Sequence, residues 1–221
     1  MNDATIEPAS PPIGFAIVGG MFDPPHIGHV AVVEHASAWG SVLNPVVVVV
    51  GGVPPHRAQP VASPDERLAM ARTAFRDYPY VQVSDVEVVH AQTEPDRPSY
   101  MLDTVRELMP RFPGLTPYLV LGDDRAATLP GWHGFDELLA LVEVLVVTRH
   151  IEGDVTETPA LRVVRAALPG KLIHWCPMSP VEASSSGIRE LLAQGRIEEA
   201  HAMVPLAVRP LLDETYLAPR T

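Results

Sequence analysis

The sequence predicts an α/β protein with a doubly wound parallel sheet, and two patterns carry that prediction. Short runs of consecutive apolar residues alternate with segments of helical spacing, as expected when each strand is buried between helices on both faces. The first run also ends in paired glycines and passes straight into a helix start. In open parallel sheets, ligands bind at such strand carboxyl ends.

The elements follow in order. Gly14–Gly20 (GFAIVGG) reads as a buried strand, and residues 27–39 have helical spacing. Pro45–Val50 (PVVVVV) is a β-branched run suited to a strand covered on both faces. Ser63-Pro64-Asp65-Glu66 forms a capping box with proline at the first helical position, ahead of apolar Leu68, Met70 and Ala71. Residues 81–89 alternate like a strand, and residues 100–112 read as a helix closed by Pro113-Gly114. Residues 117–121 (PYLVL) and 142–147 (VEVLVV) add two strands, and residues 184–194 and 205–214 two late helices. The polar stretch 151–169 reads as a loop with one surface helix. Polar, proline-bearing residues 1–12 read as a disordered leader, and residues 13–221 as a single domain with a helical C-terminal segment from about 184.

Composition narrows the function. The chain has 221 residues, 47% hydrophobic and 19% charged, an ordinary globular balance. Its 16 Lys and Arg face 27 Asp and Glu, for a net charge of −11, which argues against nucleic-acid and anionic-membrane partners. The single cysteine, Cys176, allows neither an internal disulfide nor a cysteine-based metal site and points to a reducing compartment, the cytoplasm. No basic-then-apolar signal segment and no bilayer-length apolar run is present. A phosphate ligand would therefore need a local positive field. Three turns are poor in acids: residues 19–29, 53–57 and 183–189.

In the first of these, Gly19 and Gly20 let the backbone bend and approach a ligand, and Pro24-Pro25 stiffens the exit. The next helix then aims its first N–H groups back at the turn, which makes an anion site. His26 and His29, three apart around Gly28, share one side of that terminus and can donate to phosphate oxygens. One packed and one decorative histidine is the plainer alternative; zinc would need a third ligand, and no HExxH is present. In the third turn, Ser184, Ser185 and Ser186 open a helix with hydroxyls to spare, and Arg189 sits one turn inside, able to grip phosphate with its planar fork. Simple capping is the alternative there.

The segment GGMFDPPHIGH resembles the GGxFDPxHxGH signature of the nucleotidyltransferase superfamily, in particular bacterial nicotinate-nucleotide adenylyltransferases. Ser184–Arg189 is similar to that family's ISxxxIR motif, with Ala183 in place of isoleucine. Val53-Pro54-Pro55-His56-Arg57, Ser99-Tyr100-Met101, Gly122-Asp123-Asp124 and Leu129-Pro130-Gly131-Trp132 resemble the nicotinate-nucleotide branch, and the likeness spans residues 14–216. The resemblance implies a Rossmann-like nucleotidyltransferase fold and transfer of AMP from ATP to nicotinate mononucleotide, with Mg²⁺ carried mainly by the ATP phosphates. It implies that His26, His29 and Arg189 are catalytic, and that Gly19, Gly20, Met21, Phe22, Gly28 and Ser184–Ser186 bind ATP. His56, Arg57, Ser99, Tyr100, Met101, Asp124 and Trp132 would bind the acceptor, Trp132 stacking on the pyridine ring. Met21 and Met101 stand where the family commonly has threonine, and Asp123 where it has a neutral residue. These departures keep open a different phosphorylated acceptor, such as nicotinamide mononucleotide. A nucleotide-binding regulator without turnover is the other alternative, and a homo-oligomer is compatible with the sequence.

Overall fold

The computed structural model describes residues 13–39, 43–55, 59–148, 162, 163, 165, 166, 168 and 173–218. The expected leader at 1–12 and most of the 151–169 stretch lie outside them.

The strands β1 (Gly14–Gly20), β2 (Leu43–Val50), β3 (Val81–Ser84), β4 (Thr116–Gly122), β5 (Glu143–Thr148) and β6 (Ile173–Pro177) form one sheet in the order β3-β2-β1-β4-β5-β6. Every pairing is parallel. Successive residues of β1 point to opposite layers. Ala16 and Val18 join a core with Val46, Val48 and Phe75, while Phe15 and Ile17 join another with Val47, Val49 and Leu119. Burial on both faces is why these strands read as unbroken apolar runs. The chain order reverses between β1 and β4, so a crevice opens where both strands end.

The helices are α1 (Ile27–Ala38), α2 (Pro64–Phe75), α3 (Val86–Thr93), α4 (Met101–Leu108), α5 (Asp123–Ala126), α6 (Phe135–Leu141), α7 (Ser185–Ala193), α8 (Ile197–Ala202) and α9 (Arg209–Leu217). The Ser63 capping box forms as the sequence predicts, with reciprocal bonds between Ser63 and Glu66. Pro110 ends α4 early: it lacks a donor for the helical ladder, and residues 109–111 tighten into a 3₁₀ turn.

Two expectations are corrected, and one strand that the sequence left unassigned is added. Residues 81–89 are not one strand: β3 stops at Ser84, and the chain turns into α3 at Val86. The turn lets Val86, Glu87 and Val88 all be buried, whereas a straight strand would send alternate residues to opposite faces. Residues 173–177 form a strand despite His174, because that imidazole is buried between the rings of Trp39, at 4.9 Å, and Tyr118, at 5.6 Å. Residues 205–214 split into a 3₁₀ turn at Leu206–Val208 and then α9, where Pro210 can occupy the first helical turn.

Candidate active site

The turn after β1 is shaped by its own aromatic residue. Phe22 adopts φ 52°, in the left-handed region, at a local cost of about 1–3 kcal/mol. Its buried ring offsets that cost, lying 4.7 Å from the His29 ring and edge-on to Phe75 at 6.4 Å. Any contribution of Phe22 to a ligand would therefore come from its backbone.

His26 caps α1 in an unusual reciprocal box. Its Nδ1 accepts the Gly28 N–H at 3.1 Å, and the Nδ1 of His29 accepts the His26 N–H at 3.2 Å. A backbone N–H can only donate, so both Nδ1 atoms are acceptors and each neutral ring carries its proton on Nε2. The rings lie 3.7 Å apart. A Cβ on Gly28 would come within 3.0 Å of the His26 imidazole, so glycine is what lets that ring lie over the helix end. Burial pushes His26 down to about 4, and it pushes His29 well below its ordinary range, with the neighbouring His26 adding to the shift. Both imidazoles are neutral near pH 7. They therefore act as two uncharged Nε2–H donors, and the helix N-terminus gives the positive field.

A pH dependence follows. The folded state disfavours the proton on His26, so the unfolded chain binds more protons between pH 4 and 6.5. Stability is expected to be fully present above pH 6.5 and to fall as pH drops toward 4. His26→Gln should flatten that slope in thermal melts from pH 4 to 7; an unchanged slope would contradict it.

The serine-rich helix start meets this turn directly. Ser184 Oγ caps α7 by accepting the Gly187 N–H at 3.1 Å, and Ser185 Oγ donates to the Pro24 carbonyl at 2.8 Å. Ser186 Oγ stays near the Ser184 hydroxyl, at 3.5 Å. Capping and tethering thus occupy two hydroxyls the sequence reading treated as spare. Arg189 Nη1 donates to the Asp23 carbonyl and lies 3.2 Å from Asp23 Oδ2.

Two residues missed in the sequence organise these parts. Asp23 is 4% exposed, yet its carboxylate accepts from the N–H groups of Val61 and Ala62, both at 2.9 Å, and from the Tyr216 hydroxyl at 2.7 Å. Arg67 is buried beneath the same loops and donates to the carbonyls of Met21, Gly51, Gly52 and Ala62. A signal for Arg67 was available: Met70 and Ala71 follow it by three and four residues, so their shared face is the buried one. Asp23 gave none beyond its place in the motif, since its partners come from three distant segments.

Beside the turn lies a cavity of about 230 Å³, walled by Gly19, Gly20, Met21, Gly51 and Gly52 on one side and by Ser99, Tyr100, Met101 and Trp132 on another. His133 also lines it, stacked on Tyr100 with centroids 4.1 Å apart. Trp132 Nε1 donates to Thr128 Oγ1 at 3.1 Å, which fixes the indole, and Ser99 Oγ accepts the Val53 N–H at 3.1 Å. Glu87 in the wall accepts from Thr104 Oγ1 at 2.6 Å and from the Gly52 N–H at 3.3 Å; burial pushes its carboxyl above the usual range. Asp124 is exposed on α5 and absent from the wall, where its neighbour Arg125 stands instead. His56 and Arg57 lie outside the described residues.

Among the described residues, no three His, Cys, Asp or Glu side chains converge into a metal site, so these residues provide no preformed cage for Mg²⁺. No helix among them is long and apolar enough to cross a membrane.

Comparison with known proteins agrees with this geometry. The cytidylyltransferase-like family model matches residues 17–191. A protein of Halorhodospira halophila named "probable nicotinate-nucleotide adenylyltransferase" is 34% identical over 203 residues, covering 87% of this chain and 89% of its own. One so named from a Roseiflexus species is 37% identical over 191 residues, covering 85% and 89%. The fold is similar to that of Plasmodium falciparum nicotinic acid mononucleotide adenylyltransferase complexed with NaAD, with a TM-score of 0.71 at 17% identity over 93% of this chain and 100% of that one.

Proposed function

Because the chain belongs to the cytidylyltransferase-like family, and among its members to the nicotinate-nucleotide adenylyltransferases, we propose that it moves AMP from ATP to nicotinate mononucleotide, forming nicotinate adenine dinucleotide and pyrophosphate. It is a nucleotidyltransferase of NAD biosynthesis. The observation that best supports this reading is a shared wall. Gly19, Gly20 and Met21 line the aromatic cavity, and the same turn runs on to the two Nε2–H donors at the start of α1.

In the transfer, an oxygen of the acceptor's phosphate attacks the α-phosphorus of ATP. A new P–O bond forms as the bond to the β-phosphate oxygen breaks, and pyrophosphate leaves with the negative charge. The acceptor is already an anion, so the chain has no nucleophile or base to supply; its work is alignment and charge stabilisation. His26 and His29 donate from Nε2 to the α- and β-phosphates. The start of α7, the Ser184 and Ser186 hydroxyls and Arg189 hold the β/γ end, with Ser185 tethering that helix start to the β1 turn, while Mg²⁺ arrives with ATP as part of that substrate. Trp132 stacks on the pyridine ring, and His56 and Arg57 are the residues proposed to bind the acceptor's anionic groups. Residues 13–221 act as one domain, and the reducing cytoplasm is its compartment.

Stacking on an indole contributes about 1–3 kcal/mol. Trp132→Ala is therefore expected to raise the acceptor KM by about 5–150-fold while leaving the ATP KM within about threefold, read from initial rates. Equal rises in both would remove Trp132 from the acceptor pocket.

A second acceptor reading rests on one observation. Met21 and Met101 place thioethers in the cavity wall at two positions where the family commonly has threonine, and a thioether cannot donate to a carboxylate; this favours an uncharged pyridine substituent, as in nicotinamide mononucleotide. Pyrophosphate release from ATP with each mononucleotide and other phosphomonoesters decides. We expect nicotinate mononucleotide to lead by about tenfold or more in kcat/KM. A lead for the amide would establish the second reading, and no release with any acceptor would overturn both.

A further inference from the structure

Arg67 lies outside every segment assigned to substrate, yet it holds the carbonyls of both substrate turns. Its side chain is buried, with 1% of the residue exposed. Nη1 donates to Met21 O at 2.9 Å and to Gly51 O at 2.5 Å, Nη2 to Gly52 O at 3.4 Å, and Nε to Ala62 O at 3.2 Å. A guanidinium suits this place because its rigid fork can satisfy several acceptors in one plane. Burial is the largest influence on its ionisation and works against the charge, while Asp23 first, then Tyr216 and Glu87, partly offset it.

The carbonyls belong to different halves of the site. Met21 is in the turn that leads to the histidines, and Gly51 and Gly52 are in the turn after β2; all three line the acceptor cavity. The Gly51 N–H also donates to Gly20 O at 2.8 Å, so the two turns are joined edge to edge and Arg67 fastens them from the buried side. Ala62, its fourth contact, donates its own N–H to Asp23, which holds Arg189.

We propose that Arg67 is a positioning residue that fixes the ATP turn against the acceptor turn, so that the two bound substrates meet in line. The proposal rests on the adenylyl-transfer reading above. A side chain that only supported the fold would lower stability on replacement and leave the folded site's internal alignment intact. A fastener between turns acts differently. Each mononucleotide, gripped mainly by one turn, binds nearly as before, while any ligand or step that spans both turns suffers.

The test compares Arg67→Lys and Arg67→Gln with the unsubstituted protein, each checked for folding by circular dichroism at the assay temperature. Dissociation constants for ATP alone and for nicotinate mononucleotide alone should stay within about threefold. The constant for nicotinate adenine dinucleotide, which spans both turns, should weaken by about tenfold or more. At saturating substrates kcat should fall about 30–100-fold, the scale of a misplacement near 1 Å. Lysine, which keeps the charge with fewer donors, should retain more activity than glutamine. A folded variant with kcat within about threefold of the parent, or a loss confined to one mononucleotide's affinity, overturns the proposal. So does failure of both variants to fold, because fold support then accounts for the side chain. If the unsubstituted protein releases no pyrophosphate, the adenylyl-transfer reading fails instead, and the comparison of dinucleotide with mononucleotide binding still tests the fastening.

Discussion

His29→Ala is expected to lower kcat/KM by about 10²–10³-fold, the usual effect of deleting one donor aimed at developing charge. ATP binding should be partly retained, because His26, the α7 terminus and Arg189 remain. The substitution removes two things at once: the Nε2–H donor and the Nδ1 that accepts the His26 N–H. His29→Gln separates them, since glutamine is an ordinary partner at this position of a capping box. It should recover most of the melting temperature lost in the alanine variant without recovering turnover. Near-parental kcat/KM in the alanine variant would remove His29 from the catalytic assignment.

Asp23→Ala carries the largest expected effect on stability. Two backbone N–H groups, the Tyr216 hydroxyl and the Arg189 guanidinium all point at a carboxylate that is 4% exposed. Deleting it leaves them facing a cavity, with a penalty of about 3–5 kcal/mol for breaking a buried pair. For a domain of this size that corresponds to a fall in Tm of about 6–20 °C. Asp23→Asn offers little relief, because its NH₂ group would confront a donor on either side. A calorimetric Tm within about 2 °C of the parent would show that these groups find other partners.

The fold was legible wherever one local signal sufficed. The apolar runs of β1, β2, β4 and β5 could only be strands covered on both faces, and Ser63 with Glu66 marked the start of α2. Where proline did not decide the outcome, as it did at Pro110 and Pro210, a tertiary contact overrode the local pattern. Val81–Val89 alternates, but Glu87 is drawn into the cavity wall by the Gly52 N–H and Thr104, and the chain bends to deliver it. In β6, a histidine breaks an otherwise apolar strand because two aromatic rings enclose it. At the site, the placement of His26 and His29 on one helix terminus followed from their spacing. Their protonation did not, because it depends on two backbone donors and on burial. Asp23 and Arg67 were invisible as organisers for the same reason, as each gathers groups from segments far apart in sequence.

The bond between Tyr216 and Asp23 joins residues 193 positions apart. During synthesis at about 5–20 residues per second, the β1 turn is made about 10–40 s before the hydroxyl that completes its carboxylate's coordination. Until then the carboxylate lacks one partner, and Arg189 arrives only shortly earlier. The site is therefore completed late in the chain's own synthesis: all six strands, Gly14 to Pro177, leave the ribosome before Arg189 and Tyr216, which complete the partners of the Asp23 carboxylate.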